Sequence, residues 1–109
     1  MKVSEIAERL SLKPVSQADI SREASGVYIG DLLSWVMGRA QSGDVWITIM
    51  SNINIVAVAS LADVACIVLA EGVTLEQNVQ QTAEQKGINI YTSEKTAYQL
   101  ASALADLSL

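Results

Sequence analysis

A length of 109 residues allows one core and excludes a second. Half of the residues are hydrophobic and 17% are charged, which excludes a disordered chain and leaves so much apolar surface that a second copy is expected to cover part of it. The net charge of −5 comes wholly from residues 44–109, where seven acidic residues face only Lys86 and Lys95. With no Lys/Arg cluster anywhere, the chain lacks the footprint of a nucleic-acid or anionic-membrane binder.

Ile6, Ala7 and Leu10 share one face of a predicted helix over 4–10. Leu12 to Val15 read as a short strand, which Pro14 confines to an edge or a strand end. The polar stretch 16–25 reads as a mobile loop. Val27, Tyr28 and Ile29, between Gly26 and Gly30, predict a second strand. Asp31 is of the residue type that caps a helix, here one carrying Leu32, Leu33, Val36, Met37 and Ala40 at helical spacing and stopped by Gly43.

Val45 to Ile49 predict the next strand. Ser51 or Asn52 can cap a helix over 53–62, whose apolar residues surround its axis, so burial on most sides is expected. The continuous run Ala65–Ala70 has the pattern of a central parallel strand covered on both faces. Thr74 and Gln77 are spaced as a capping box for a helix that Gly87 ends after Lys86. Ile88 to Tyr91 predict the last strand. A final helix is expected from Thr92 or Ser93, with Ala97, Leu100, Ala101 and Leu104 in register. The strand–helix alternation from residue 45 predicts a three-layer α/β/α domain, filling residues 1–109, with a mainly parallel sheet.

Residues 53–70 approach membrane-spanning length, but Asn54 and Asp63 interrupt them, and a central Asp costs about 3 kcal/mol on insertion. The opening Met1–Glu5 has no apolar run, and the one cysteine forms no internal disulfide. A cytoplasmic, reducing location is expected.

The chain has no histidine, hence neither the commonest general base nor the commonest transition-metal ligand. Cys66 lies in the most apolar strand and reads as a small buried hydrophobe. Neither a P-loop nor a Gly-x-Gly-x-x-Gly turn occurs, so no cofactor and no metal are expected. The pairs Glu5/Glu8 and Asp19/Glu23 read as solvated surface, without an apolar setting that would raise a pKa. In a parallel arrangement, Met50–Asn54, Glu71–Thr74 and Thr92–Ser93 share one edge of the sheet, where α/β folds bind ligands. Glu76 and Glu94 are expected to place negative charge in the first helical turns there.

The residue order resembles the DRTGG domain family, which includes the non-catalytic N-terminal part of HPr kinase/phosphorylases and regulatory segments of some phosphate acetyltransferases and pyrophosphatases. Asp19, Arg22 and Gly26 stand in the family's D…R…G pattern. Gly43-Asp44-Val45-Trp46-Ile47-Thr48 is similar to its G-D-strand-T segment, and Leu69-Ala70-Glu71-Gly72 to its Leu-Thr-Gly-Gly turn. The stretches DLLSWVM at 31–37 and NIVAVASL at 54–61 are similar to short free-standing bacterial members. One departure stands out: Ile49 and Met50 occupy positions after Thr48 where the family has two glycines, closing the backbone to a ligand. The resemblance implies a regulatory, often dimeric module without kinase activity, in a setting of redox or hydrogenase metabolism.

Together these readings predict a non-catalytic homodimer that regulates an unidentified protein partner, with Leu33, Trp35, Val36 and Met37 at the interface. The alternative is a domain sensing an adenine nucleotide or other phosphate ligand through Thr48, Ser51, Asn52, Asn54 and Thr74.

Overall fold

The computed structural model describes residues 1–109. The elements follow the order α1 (Val3–Arg9), β1 (Lys13–Ser16), β2 (Gly26–Ile29), α2 (Leu33–Arg39), β3 (Asp44–Thr48), α3 (Asn54–Ala62), β4 (Cys66–Leu69), α4 (Gln77–Lys86), β5 (Ile90–Thr92) and α5 (Ala97–Asp106). One five-stranded sheet has the strand order β1-β5-β4-β3-β2. Strands β2 to β5 are parallel; β1 alone runs antiparallel, beside β5 at an edge, where Pro14 is tolerated.

Alternation along the central strands sends side chains to two cores. Val45, Ile47, Cys66, Val68 and Tyr91 face α1 and α5, meeting Val3, Ile6, Leu100 and Leu104. Trp46, Ile67, Leu69 and Ile90 face α2, α3 and α4, meeting Val36, Ile55, Ala59, Val79 and Ala83. The expected three-layer α/β/α arrangement with a mainly parallel sheet is therefore present. Each crossover from β2 to β5 moves one strand over with its helix on the same face, as uniform handedness requires. After β5 the chain changes sides, and α5 covers the opposite face.

Several local expectations are corrected. Residues 16–25 are tied down rather than loose: Val3 and Ser4 N–H donate to Arg22 and Ile20 carbonyls, and Ala24 N–H donates to Met1 O. Helix α2 ends at Ala40, which is extended, so Gly43 does not stop it; Gly43 instead takes φ +87° in the turn before β3. Helix α4 is preceded by Glu76 without a side-chain cap, so Thr74 and Gln77 form no capping box. Helix α5 starts later than expected, where Thr96 Oγ1 accepts from Gln99 N and Gln99 Oε1 accepts from Thr96 N. Glu94 thus precedes the helix instead of sitting in its first turn. Burial of α3 is one-sided, because it is an outer-layer helix: Ile55, Val56, Val58 and Ala59 are buried while Leu61 is 72% exposed. No helix is long and apolar enough to cross a membrane.

Candidate functional site at the carboxyl edge of the sheet

The parallel ladder puts the segments after β3, β4 and β5 along one edge, as their spacing predicts. The two halves of this edge differ.

At the β3 end, Asp31 does not cap α2, whose N-cap is Leu32. The Asp31 carboxylate turns across the sheet instead. Its Oδ1 accepts from Thr48 Oγ1 at 2.8 Å and from Ile49 N at 3.1 Å, and Thr48 Oγ1 in turn accepts from Met50 N at 3.2 Å. Asn52 Oδ1 accepts from Asn54 N at 2.9 Å at the start of α3. Thr48 Oγ1, Asn52 Oδ1 and the Asn54 N–H are thus engaged within the chain, and Thr48 is buried. Ser51 and Asn52 border a shallow hollow of about 400 Å³ with Thr74, closed on its far side by Glu76 and Asn78. The five residues named from sequence as ligand-binding are therefore divided. Thr48 lies beneath the surface, Asn54 faces the α3–α4 groove, and Ser51, Asn52 and Thr74 remain accessible.

At the β4 and β5 ends the edge is open. Glu71 and Gly72 form a tight left-handed turn with φ of 62° and 71°. Glu71 N donates to Lys95 O and Gly72 N to Ser93 O, pinning the loop after β4 to the loop after β5. A cleft of about 410 Å³ opens beside this junction. Its walls come from the α1–β1 connection (Ser11), the start of β1 (Lys13), the loop after β4 (Thr74), the end of β5 (Thr92) and the loop that follows it (Ser93, Lys95). Lys13 reaches this edge because β1 is antiparallel, which pairs Lys13 with Thr92. Sequence reasoning missed Lys13, since its separation from Lys95 hides a proximity that only the β1–β5 pairing creates.

At the amino edge of the sheet, charged and polar groups are spent on structure. Arg22 Nη1 and Nη2 donate to Asp63 Oδ1 and Asp63 O, each at 3.0 Å, and Ser42 Oγ donates to Asp63 Oδ2. The Arg22 guanidinium, then the Ser42 hydroxyl, hold the Asp63 carboxyl below the usual carboxylate range. Buried Asn89 bridges both backbone groups of Asp19 and also donates to Ala65 O, fixing the preceding loop. Cys66 is enclosed among apolar residues, and burial pushes its thiol up to about 12, so almost no thiolate exists near neutrality.

Of the four residues named from sequence as interface, Val36 is 0% exposed, and Leu33 is partly buried and packs against the core beneath α2. The reason is geometric: a seven-residue helix lying on the sheet turns only one stripe inward, and that stripe runs through Leu33 and Val36. Trp35 and Met37 stay about half exposed, with the Arg39 guanidinium 3.7 Å above the Trp35 ring.

The DRTGG domain model matches residues 5–107, almost the whole chain. The chain belongs to the DRTGG domain family. Among solved structures, it is similar to the CBS and DRTGG domains of the regulatory region of Clostridium perfringens pyrophosphatase, crystallised with its activator diadenosine tetraphosphate. That match has a TM-score of 0.75 at 14% identity and covers 94% of this chain, which spans 45% of the pyrophosphatase chain. No curated protein matches the sequence.

Of the residues that carry the DRTGG resemblance, Arg22, Gly26, Gly43 and Asp44 lie at the amino edge, whereas Thr48 and the Leu69–Gly72 turn lie at the carboxyl edge, Gly72 on the open cleft itself. Arg22 binds Asp63, and Gly43 N donates to Asp63 O. Gly26 lies against Asp44, whose Oδ1 would sit 2.6 Å from a Cβ at that position, so a larger residue would displace the carboxylate. Asp44 Oδ2 also accepts from Gln41 N, shaping the turn into β3.

Proposed function

We propose that this chain is a single-domain, non-catalytic regulatory module that acts by protein contact and assembles as a homodimer. The observation that carries this reading is an apolar group at the outer edge. Ile29, Leu32, Trp35, Met37 and Ile49 are each about half exposed, on β2, α2 and the β3 turn that Asp31 ties to them. Four exposed side chains of that size within residues 29–37 are what an interaction surface at this edge would draw on. Strand β2 also ends the sheet there, leaving one row of backbone groups unpaired.

Membership of the DRTGG domain family supports the regulatory role, as does a neighbour that is itself a regulatory region. The missing histidine and the enclosed Cys66 argue against catalysis. An unidentified protein partner, in the redox or hydrogenase setting that the resemblance suggests, would be the regulated component.

Sedimentation or light scattering at micromolar concentration tests the assembly. Twice the chain mass is expected, falling to the single-chain mass in Trp35→Ala/Met37→Ala. A single-chain mass for the unsubstituted protein would overturn the homodimer.

A second reading, sensing of an adenine nucleotide or another phosphate compound, draws on the activator bound by the Clostridium perfringens neighbour. A ligand at 100 times its dissociation constant would stabilise the fold by about 2.7 kcal/mol, visible as a thermal shift.

A further inference from the structure

Strands β2, β3 and β4 are all followed by helices on the same face, whereas β5 is followed by α5 on the other. The connections leaving β4 and β5 therefore diverge, and this is the one place in the parallel part of the sheet where adjacent connections do so. Divergence of neighbouring loops at the carboxyl ends of parallel strands leaves a crevice, which is where open α/β sheets hold ligands. The 410 Å³ cleft lies at that point, within the size range of small-molecule sites.

Its lining selects the chemistry. Only Leu10 among the lining residues is hydrophobic. Lys13 and Lys95, from separate elements, share the lining with the hydroxyl-bearing residues Ser11, Thr74, Thr92 and Ser93. Glu94 is the one carboxylate on the lining, and it lies over Gly72, at the junction of the two loops. Two lysines and hydroxyl-bearing residues on one lining suit a phosphate group, and a single carboxylate beside them suits the hydroxyls of a sugar. The backbone N–H groups of Glu71 and Gly72 are already bonded across the junction, so side chains would do the binding.

We infer that the switch-point cleft between the β4 and β5 connections binds a small phosphate monoester of a polyhydroxylated molecule, with Lys13 and Lys95 holding the phosphate. This rests on the second reading above and places the phosphate on two lysines that the sequence did not single out as ligand-binding. Loop pinning gives the site a route to the rest of the fold: Glu71 and Gly72 bond to the backbone of Lys95 and Ser93, so an occupant would brace both connections at once.

The test is titration of the ¹⁵N-labelled full chain with ribose 5-phosphate to millimolar concentration, with ribose as the control. Saturable amide shifts are expected at Gly72, Ser93 and Lys95, with none from ribose. Lys13→Gln and Lys95→Gln should each weaken binding about tenfold while leaving the remaining spectrum superimposable, both side chains being exposed. Shifts confined to Ser51, Asn52 and Asn54 would overturn the cleft and leave phosphate sensing standing. Equal binding of ribose, or unchanged affinity in both lysine variants, would overturn the assigned chemistry. Absence of any saturable shift would overturn both the cleft and, for this ligand class, the sensing reading.

Discussion

The two halves of the carboxyl edge are built from the same motif, a parallel strand turning into a helix, yet one is closed and the other open. At β3 the turn is sealed by a carboxylate from the neighbouring connection: Asp31 satisfies Thr48 and Ile49, and apolar Ile49 and Met50 follow. At β4 and β5 the helices leave on opposite faces, and the two loops, pinned to each other by their backbones, leave a cleft beside their junction. The lesson is that polar residues at a strand end do not define a site. What matters is whether an adjacent connection supplies their partners.

The largest effect should come from breaking the seal. Asp31→Ala removes the charged acceptor of a buried hydroxyl and a backbone N–H, and should cost about 2 kcal/mol in urea denaturation. A loss under about 0.5 kcal/mol would mean that the β3 end is not held by Asp31.

The amino edge offers a control in which a charge is also spent on structure. Arg22→Ala should cost about 1 kcal/mol, since its pair with Asp63 is bidentate but largely solvated. Because the Asp63 carboxyl is held below its ordinary range, the native state takes up its proton later than the unfolded chain does. The Arg22 contribution is thus complete above the unfolded carboxylate pKa and lost as pH falls through the lower native value. Stability curves of the two proteins should converge in acid; parallel curves down to pH 2 would contradict the pairing.

On the open half, Glu71 occupies left-handed backbone that favours glycine. Glu71→Gly should stabilise the fold by about 0.5 kcal/mol, the relief of strain exceeding the added chain entropy. A destabilisation would show that the Glu71 side chain makes a compensating interaction. Smallest of all, Lys13→Gln and Lys95→Gln should leave unfolding free energy within about 0.5 kcal/mol of the parent, because exposed groups reserved for a ligand contribute little to folding. Losses comparable to that of Asp31→Ala would erase the contrast between the two halves.

Much of the architecture was legible in the residues themselves. The run Ala65–Ala70 has the pattern of a strand covered twice, and the apolar stretch of α3, the Gly87 stop of α4 and the periodicity of α5 located those helices to within a few residues. Gly87 ended α4 as its type suggests, taking φ +75°. The caps were harder. Asp31, Thr74 and Ser93 are residue types that cap helices or bind neighbours equally well, and only a partner in space distinguishes the two uses. Asn89 was silent in the sequence, because its role depends on Asp19 and Ala65 arriving beside it.

By itself the sequence determined the alternation of elements, the two-sided burial of the sheet and the absence of histidine chemistry, because these follow from residue type and short-range period. The tertiary structure alone decided which polar groups are consumed and which stay free. Antiparallel β1 brought Lys13 to Lys95, and the change of face after β5 left the space between them. Both are long-range consequences of strand order, and no local pattern encodes them.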